Sequence, residues 1–539
     1  MIIKGMEVVF EKLSLFPTTH ADCWLKQNES NCPGEAMKKH ITQDDIIYFV
    51  MTDRFFGRNK RTVDASDTSI HGGTIDGVIE KLDYLIELGV TAIWVAPVYE
   101  NIERHGITEP YHYYWPHRFD RIDKRLLDGT YLPESVDMTT FGKFVNMCED
   151  RGMKVVLDIV VNHAGYGAHE QFDPTWFNVK GSGDIKGELA GLPDFNHDNP
   201  QVLDYFINNI EDWITKGKVT NIRMDTVKHV EPKFWHYFKS QIRGQYPDIF
   251  LIGEVLFEGK EHIVKLLEYQ NYHDFDSIFD FPLCTALRST FIYDESLRYW
   301  LARPRLNDHE PLGVLDDDNP SKGGYRNANG LVTLVDNHDL ERRIMSHART
   351  KHPGEGSGLD WAIRVTKLCL GALFTMRGIP QIYYGTEVGL EGWKAGNDDC
   401  DLRRDFPWHV IGSDNRPMPQ FRKEREIFEW TRDLINLRKR NASLKYGTTI
   451  TLWSDDLVYA FLRIATDDVA FVIINNGYDK MPHPIQLDLN PSVIPQRVVS
   501  MMTGGLKHWK TGQPLTVQNG KVVVTVDGKT IDIFCCRDS

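Results

Sequence analysis

Eight alternations of an apolar, strand-like run with an amphipathic helical stretch predict a closed parallel (β/α)8 barrel, followed by a small antiparallel β domain. Spacing supports this: residues 225 and 254, which each end an apolar run, are 29 positions apart, about one βα unit. The third observation is that several of these runs close in charged or polar residues, and the C-terminal strand ends are where barrel enzymes carry chemistry.

Taken in order, Met1 to residue 43 is a polar lead segment without clear periodicity. Ile46 to Met51 then reads as the first strand, Ile75 to Leu88 as one amphipathic helix, and Thr91 to Val95 as the second strand, ended by Ala96-Pro97. A helix from Thr139 to Arg151 leads into the run ending at Asp158, and a helix from Gln201 to Lys216 into the strand Val219 to Met224. Glu231-Pro232 opens the next helix, since proline suits the first helical turn. Ile249 to Gly253 is a strand, Lys260 to Tyr269 a helix, Ser277 to Phe281 a weak strand followed by a helix through Leu297, and Leu331 to Val335 a strand. Leu359 to Met376, Gln381 to Tyr384 and Glu424 to Arg440 complete the barrel as helix, strand and helix. Between Asp158 and Asp225 the gap is 67 residues, so residues 164–199 are an insertion after the third strand. The barrel thus comprises 44–163 and 200–443, and the alternating runs after Tyr446 predict a β-sandwich over 444–539 without helices.

At 539 residues the chain exceeds one core, and 41% hydrophobic residues suffice for a packed enzyme. A formal charge of -14 argues against a nucleic-acid partner, which needs a basic stripe. No run approaches a membrane span, and residues 1–10 lack the apolar core of a secretory signal, so a cytoplasmic protein is expected unless a leader has been removed. The oligomeric state is left open. Cys148 and Cys369 fall in apolar helical stretches as buried thiols, whereas Cys23 and Cys32 would bridge only in an exported protein.

The chemistry centres on Asn221-Ile222-Arg223-Met224-Asp225-Thr226-Val227-Lys228-His229. Arg223 and Asp225, two apart on a strand, point the same way. Four stretches accompany it: Asp158 to Asn162-His163, Leu192-Pro193-Asp194-Phe195-Asn196-His197, Ile249 to Glu254, and Leu331 to His338-Asp339. In this order they resemble the signature regions of the α-amylase family, glycoside hydrolase family 13. The resemblance implies a retaining α-glucan hydrolase with Asp225 as nucleophile, Glu254 as general acid/base and Asp339 as the third carboxylate, which holds sugar hydroxyls. Adjacent barrel strands lie about 4.8 Å apart, so Asp225 and Glu254 can reach the roughly 5–5.5 Å separation of a retaining pair.

The same resemblance makes His163 and His338 donors to the sugar at the cleavage point, with Arg223 a cation beside the nucleophile. It makes Tyr111, in Tyr111-His112-Tyr113-Tyr114-Trp115, the aromatic stacked under that sugar, with Tyr113 standing where the family has glycine. Asp399 and Arg403 match the pair on the next sugar toward the non-reducing end, and Lys228-His229 the basic pair on the reducing-end side. Residues 164–199 match the family's domain B, and 444–539 its domain C. Calcium, if bound as in the family, would take Asn162, Asp194 and the His229 carbonyl, all hard oxygen ligands. Endo-hydrolysis of α-1,4 bonds in starch, glycogen or malto-oligosaccharides is the expected activity. The alternatives are a 4-α-glucanotransferase or a cyclomaltodextrinase on the same scaffold, and, more remotely, a non-catalytic sugar-binding relative. Ala190, where cyclodextrin glycosyltransferases carry a central aromatic, favours hydrolysis.

Overall fold

The computed structural model describes residues 39–61, 64, 67–179, 181, 183–257, 263–271, 275–301, 325–351, 357–395, 399–479, 481, 484–489 and 494–536. Cys23, Cys32 and most of the lead segment lie outside these. Residues from Lys39 onward form one compact unit.

Among the described residues, ten strands precede the C-terminal region: β1 (Ile47–Val50), β2 (Ala92–Val95), β3 (Tyr99–Asn101), β4 (Pro116–Ile122), β5 (Lys154–Ile159), β6 (Asn221–Met224), β7 (Phe250–Gly253), β8 (Ser277–Ile278), β9 (Val332–Thr333) and β10 (Ile379–Tyr383). Eight of them pair in the order β8-β7-β6-β5-β2-β1-β10-β9, every neighbour parallel. The sheet closes on itself through a parallel bridge from Phe279, just after β8, to Val332, where the Asp280 amide donates to the Val332 carbonyl at 2.8 Å. The fold is therefore the (β/α)8 barrel that the alternation predicts. Every residue of β1, β2, β5 and β6 is buried, as parallel strands covered on both faces require.

Local signals set the helix ends. The helix Pro200–Thr215 begins with proline in its first turn, and the Asn199 side chain accepts from the Gln201 amide at 2.9 Å. Its buried Val202, Phe206, Ile210 and Trp213 recur at helical spacing, and Phe206 and Trp213 meet Phe119 of β4 and Tyr99 of β3 edge-on.

Four expectations need correction, the first being the helix through Leu297, which ends at Phe291 before a separate helix, Leu297–Leu301. The stretch from Ile75 to Leu88 is two helices, Ile75–Glu80 and Leu82–Leu88, broken where Lys81 leaves helical geometry at φ -101° and ψ 10°. A helix at Ile344–Lys351 and the antiparallel pair β3–β4 were not foreseen, the strands being short and only partly apolar. After Tyr446 there is a helix, Gln496–Gly505, whose Val498 and Met502 are buried.

The C-terminal region holds a five-stranded antiparallel sheet, β11 (Thr448–Ser454), β12 (Val458–Ile464), β13 (Val469–Asn475), β18 (Thr530–Cys535) and β15 (Lys507–His508), in that order. A smaller sheet orders β14 (Ile485–Asp488), β17 (Lys521–Val524) and β16 (Val517–Gln518). Alternation along β12 and β13 divides their side chains between two cores. Tyr459, Phe461, Val472 and Ile474 join the core of the barrel, while Ala460, Leu462, Phe471 and Ile473 join a second core shared with Leu487 and Val522 of the small sheet. That division explains why β12 and β13 read as unbroken apolar runs. Cys148 and Cys369 are fully buried free thiols.

Candidate active site

The C-terminal ends of β5, β6 and β7 carry the central charges. Register pairs Met224 with Gly253, so the next residues, Asp225 and Glu254, emerge side by side. Their amides are tied down, Asp225 to the Ile159 carbonyl and Glu254 to the Met224 carbonyl, each at 2.9 Å. One guanidinium serves three acids: Arg223 Nη1 lies 2.8 Å from Asp158 Oδ1 and 2.5 Å from Asp225 Oδ1, and Nη2 lies 3.7 Å from Glu254 Oε2. Arg223 is fully buried, 5.2 Å from the Trp94 ring and 6.0 Å from that of Phe279. Its planar fork suits such multiple pairing.

Glu254 and Asp225 are held differently. Glu254 Oε2 accepts from the Thr226 amide at 2.8 Å, whereas Asp225 takes the Arg223 nitrogen directly. Burial, only partly offset by Arg223 and reinforced by the negative charges of Asp225 and Asp339, pushes Glu254 up to about 7. Glu254 is thus protonated over the lower part of the neutral range and can give up that proton. Asp225 and Glu254 are both buried, each 6% exposed.

Asp339 stands across from them. Asn337 Oδ1 accepts from the Asp339 and Leu340 amides, an Asx turn that directs Asp339 into the cleft after β9. Arg403 Nη2 donates to Asp339 Oδ1 at 3.1 Å and to Asp399 Oδ2 at 2.8 Å, and Lys394 pairs with the other Asp399 oxygen at 3.0 Å. Burial disfavours the Asp339 charge, but His338 and Arg403 hold the carboxyl at about 2. Burial also holds His338 at about 3, so at neutral pH its ring is uncharged and the positive partner of Asp339 is Arg403.

The remaining sequence-predicted residues fall into two groups. His163 is buried, one ring nitrogen 3.1 Å from the Tyr114 carbonyl, and burial lowers its pKa. His338 stacks on Tyr114 with ring centroids 5.4 Å apart. Tyr111 is placed differently from the expectation: it is 3% exposed, lies 4.3 Å from the Arg54 guanidinium, and accepts from the Cys400 thiol at 3.4 Å. The tyrosine that touches the catalytic end is Tyr114, whose hydroxyl donates to Asp158 Oδ2 at 2.7 Å. Tyr113 adopts φ 63°, the left-handed conformation that glycine takes most easily, and is held there by its amide bond to the Pro110 carbonyl. The turn that a glycine would make is preserved with a tyrosine.

On the opposite rim, Lys228 Nζ donates to the Leu256 carbonyl at 3.0 Å, and the His229 ring meets the Asp184 carbonyl of the insertion at 2.6 Å. Residues 164–199 contain short 3-10 turns, with isolated bridges His163–Asp194 and Phe177–Phe195 anchoring them beside β5.

Asp158 lies inside β5, ahead of Asn162 and His163. It accepts from Arg223, Tyr114 and, at 3.0 Å, Trp94 Nε1. The signal was present: a carboxylate in the middle of an apolar run must find partners when buried.

Comparison with known proteins agrees with this fold. The family model for the α-amylase catalytic domain matches residues 49–180 and 184–425. A β/α-amylase from Paenibacillus polymyxa is 29% identical over 520 residues, covering 90% of this chain and 37% of that protein. Neopullulanase 2 from Thermoactinomyces vulgaris is 27% identical, covering 87% and 75%. Further relatives include cyclomaltodextrinases and cyclomaltodextrin glucanotransferases. Among solved structures, the α-amylase of Geobacillus thermoleovorans in complex with acarbose is 27% identical, with a TM-score of 0.72, covering 92% of this chain and 99% of that one. The chain belongs to the α-amylase family, glycoside hydrolase family 13, whose members among these relatives are hydrolases and transferases of α-glucans.

Proposed function

We propose that the chain hydrolyses internal α-1,4-glucosidic bonds of starch, glycogen or malto-oligosaccharides with retention of configuration. The observation that carries this reading is the unequal pair at the ends of β6 and β7. Asp225 sits directly on a guanidinium, and Glu254, beside it, keeps a proton up to about 7. Two carboxyls whose environments separate their roles are what a double displacement needs. Glu254 protonates the departing glycosidic oxygen while Asp225 attacks the anomeric carbon, and the old C–O bond breaks as the glycosyl ester forms. Glu254 then takes a proton from water, which displaces Asp225. Asp339, His338 and His163 hold hydroxyls of the sugar, and Tyr114 backs it. Asp399 with Arg403 receives the next sugar on one side, and Lys228 with His229 the other.

Transfer to a sugar acceptor, or opening of cyclodextrins, is the second reading. The relatives favour keeping it, because several are named for those activities. Ala190 bears no ring that could guide a chain around itself, which favours water as acceptor. One time course separates the readings. With starch, cyclodextrins, pullulan and maltotriose as substrates, NMR is expected to show the α-anomer first and reducing ends to accumulate on starch fastest. Initial β-anomer would end the retaining mechanism, and products longer than the substrate would establish transfer.

Calcium belongs to the same reading. Among the described residues no three His, Cys, Asp or Glu side chains converge as for a metal, so the set would be one carboxylate, one amide oxygen and one backbone carbonyl. Two observations fit it. Asn162 Oδ1 is buried without a hydrogen-bond partner among the described residues, and burial pushes Asp194 up to about 7 despite its bond from Asn178. Asn162 and Asp194 are brought close by the His163–Asp194 bridge and by the bond from the Phe195 amide to the Asn162 carbonyl. The ion would fix the insertion over the cleft. Exhaustive chelation is expected to lower the melting temperature and the rate together. Free calcium a hundredfold above its Kd would restore about 2.7 kcal/mol, where magnesium restores little. Asp194→Ala should reproduce the loss. Unchanged melting after chelation would leave Asn162 and Asp194 as residues that only tie down the loop.

A further inference from the structure

An unbroken series of rings leads away from the catalytic end. Tyr114, stacked on His338, lies 5.9 Å from His112; His112 meets Trp115 edge-on at 4.7 Å; Trp115 meets Tyr166 edge-on at 5.0 Å; and Tyr166 stacks on His105 at 3.8 Å and 20°. Tyr114, Trp115 and Tyr166 are half-buried, His112 among them is buried, and His105 at the outer end is exposed. The series runs on the Arg403 side of the cleft, since the Arg403 guanidinium lies 6.0 Å from the Tyr111 ring, which meets the His112 ring edge-on at 5.1 Å.

The outer rings are rigidly placed. Gly165 lies so close to the β4 hairpin that an added Cβ would sit 2.5 Å from the Trp115 carbonyl oxygen, which presses the start of the insertion onto Trp115. The Tyr166 hydroxyl donates to the Ala190 carbonyl at 2.7 Å, and Ala190 holds a left-handed φ of 52° to present it. His105 stands on a tight turn closed by two bonds to Thr108, with Gly106 at φ 60°. The stretch from His105 to Trp115 and Tyr166 of the insertion, tied to Ala190, thus converge on one half-wet aromatic surface.

We propose that His105 and Tyr166, continuing from Trp115, form a distal binding site for an α-glucan chain, several sugars from the cleaved bond on the side of Asp399 and Arg403. The chemistry fits that ligand: a pyranose presents an apolar C–H face to a ring and its hydroxyls to water, and Tyr and Trp serve such surfaces with one wet edge. Binding at this distance from the reacting centre raises kcat/KM for a long substrate over a short one. The site rests on the proposed glucan hydrolysis.

The test compares maltotetraose with maltoheptaose on the full chain. Tyr166→Ala and His105→Ala are each expected to lower the heptaose-to-tetraose ratio of kcat/KM, by roughly tenfold and threefold, mainly through KM. Tyr166→Phe, which keeps the ring and loses the bond to Ala190, should keep the ratio. Equal losses on both substrates, or an unchanged ratio in both alanine variants, would overturn the site and leave Tyr166 as a strut for the insertion. Because His105 is exposed, its variant decides the matter even if Tyr166→Ala does not fold. If the parent protein cleaves neither substrate, the proposed function fails. Calorimetric binding of maltoheptaose to Glu254→Gln, with and without Tyr166→Ala, then still decides the site: unchanged affinity overturns it.

Discussion

Asp225→Asn is expected to lower kcat on maltoheptaose by roughly 10⁵-fold, the scale on which enzymes lose activity when a nucleophile is removed. Asparagine fills the same volume and can still accept from Arg223, so the fold should stay intact while no glycosyl ester can form. Glu254→Gln removes the proton donor and should cost about 10² to 10⁴-fold, the usual worth of general acid catalysis. The two variants differ in pH behaviour. Glu254 in the free protein stays protonated up to about 7, so the parent kcat/KM should be sustained below that pH and fall as pH rises through it. In Glu254→Gln that alkaline limb should vanish, since the group that titrates is gone. Initial rates from pH 5 to 9 on purified variants with unchanged circular dichroism check both. A folded Asp225→Asn protein retaining a tenth of parental activity, or an alkaline limb that survives in Glu254→Gln, would show the roles to be wrongly assigned.

The barrel was legible in the sequence because parallel strands buried on both faces leave continuous apolar runs, and because the helices between them repeat at helical spacing. What escaped were elements without such a signal. β3 and β4 are a short pair with charged residues along them, yet they carry the turn through Tyr113 that presents Tyr114. The helix Gln496–Gly505 buries only Val498 and Met502, too sparse a stripe to stand out among strands. At the site, motif order gave Arg223, Asp225, Glu254 and Asp339, and the structure gathers all four around one cleft. Motif order misled at Tyr111: the string holds three tyrosines, and which of them reaches Asp158 depends on a left-handed residue between them. Asp158 itself was visible as a charge in an apolar strand, but its partners come from three separate segments, which no local spacing reveals.

Arg223→Met should be the most damaging single change for the fold and the chemistry together. The side chain has no exposed surface, and its guanidinium lies against Asp158, Asp225 and Glu254. Methionine fills much of the volume but leaves three carboxyl groups gathered without their cation. Breaking a buried ion pair in this way costs about 3–5 kcal/mol, because the abandoned charge must stay unpaired or take up a proton. Protonation is the cheaper outcome, and it disables a nucleophile. The variant should therefore unfold at lower urea concentration and have activity reduced by at least 10³-fold, on the order of what a misprotonated catalytic pair loses. Arg223→Lys keeps the charge but not the fork, so its single ammonium can serve one acid well and not three, and stability should recover more than rate. Adding Asp158→Asn to Arg223→Met removes one of the stranded charges and should return part of the stability with none of the activity. Parental urea midpoints and rates in Arg223→Met would mean that the three acids do not depend on this cation.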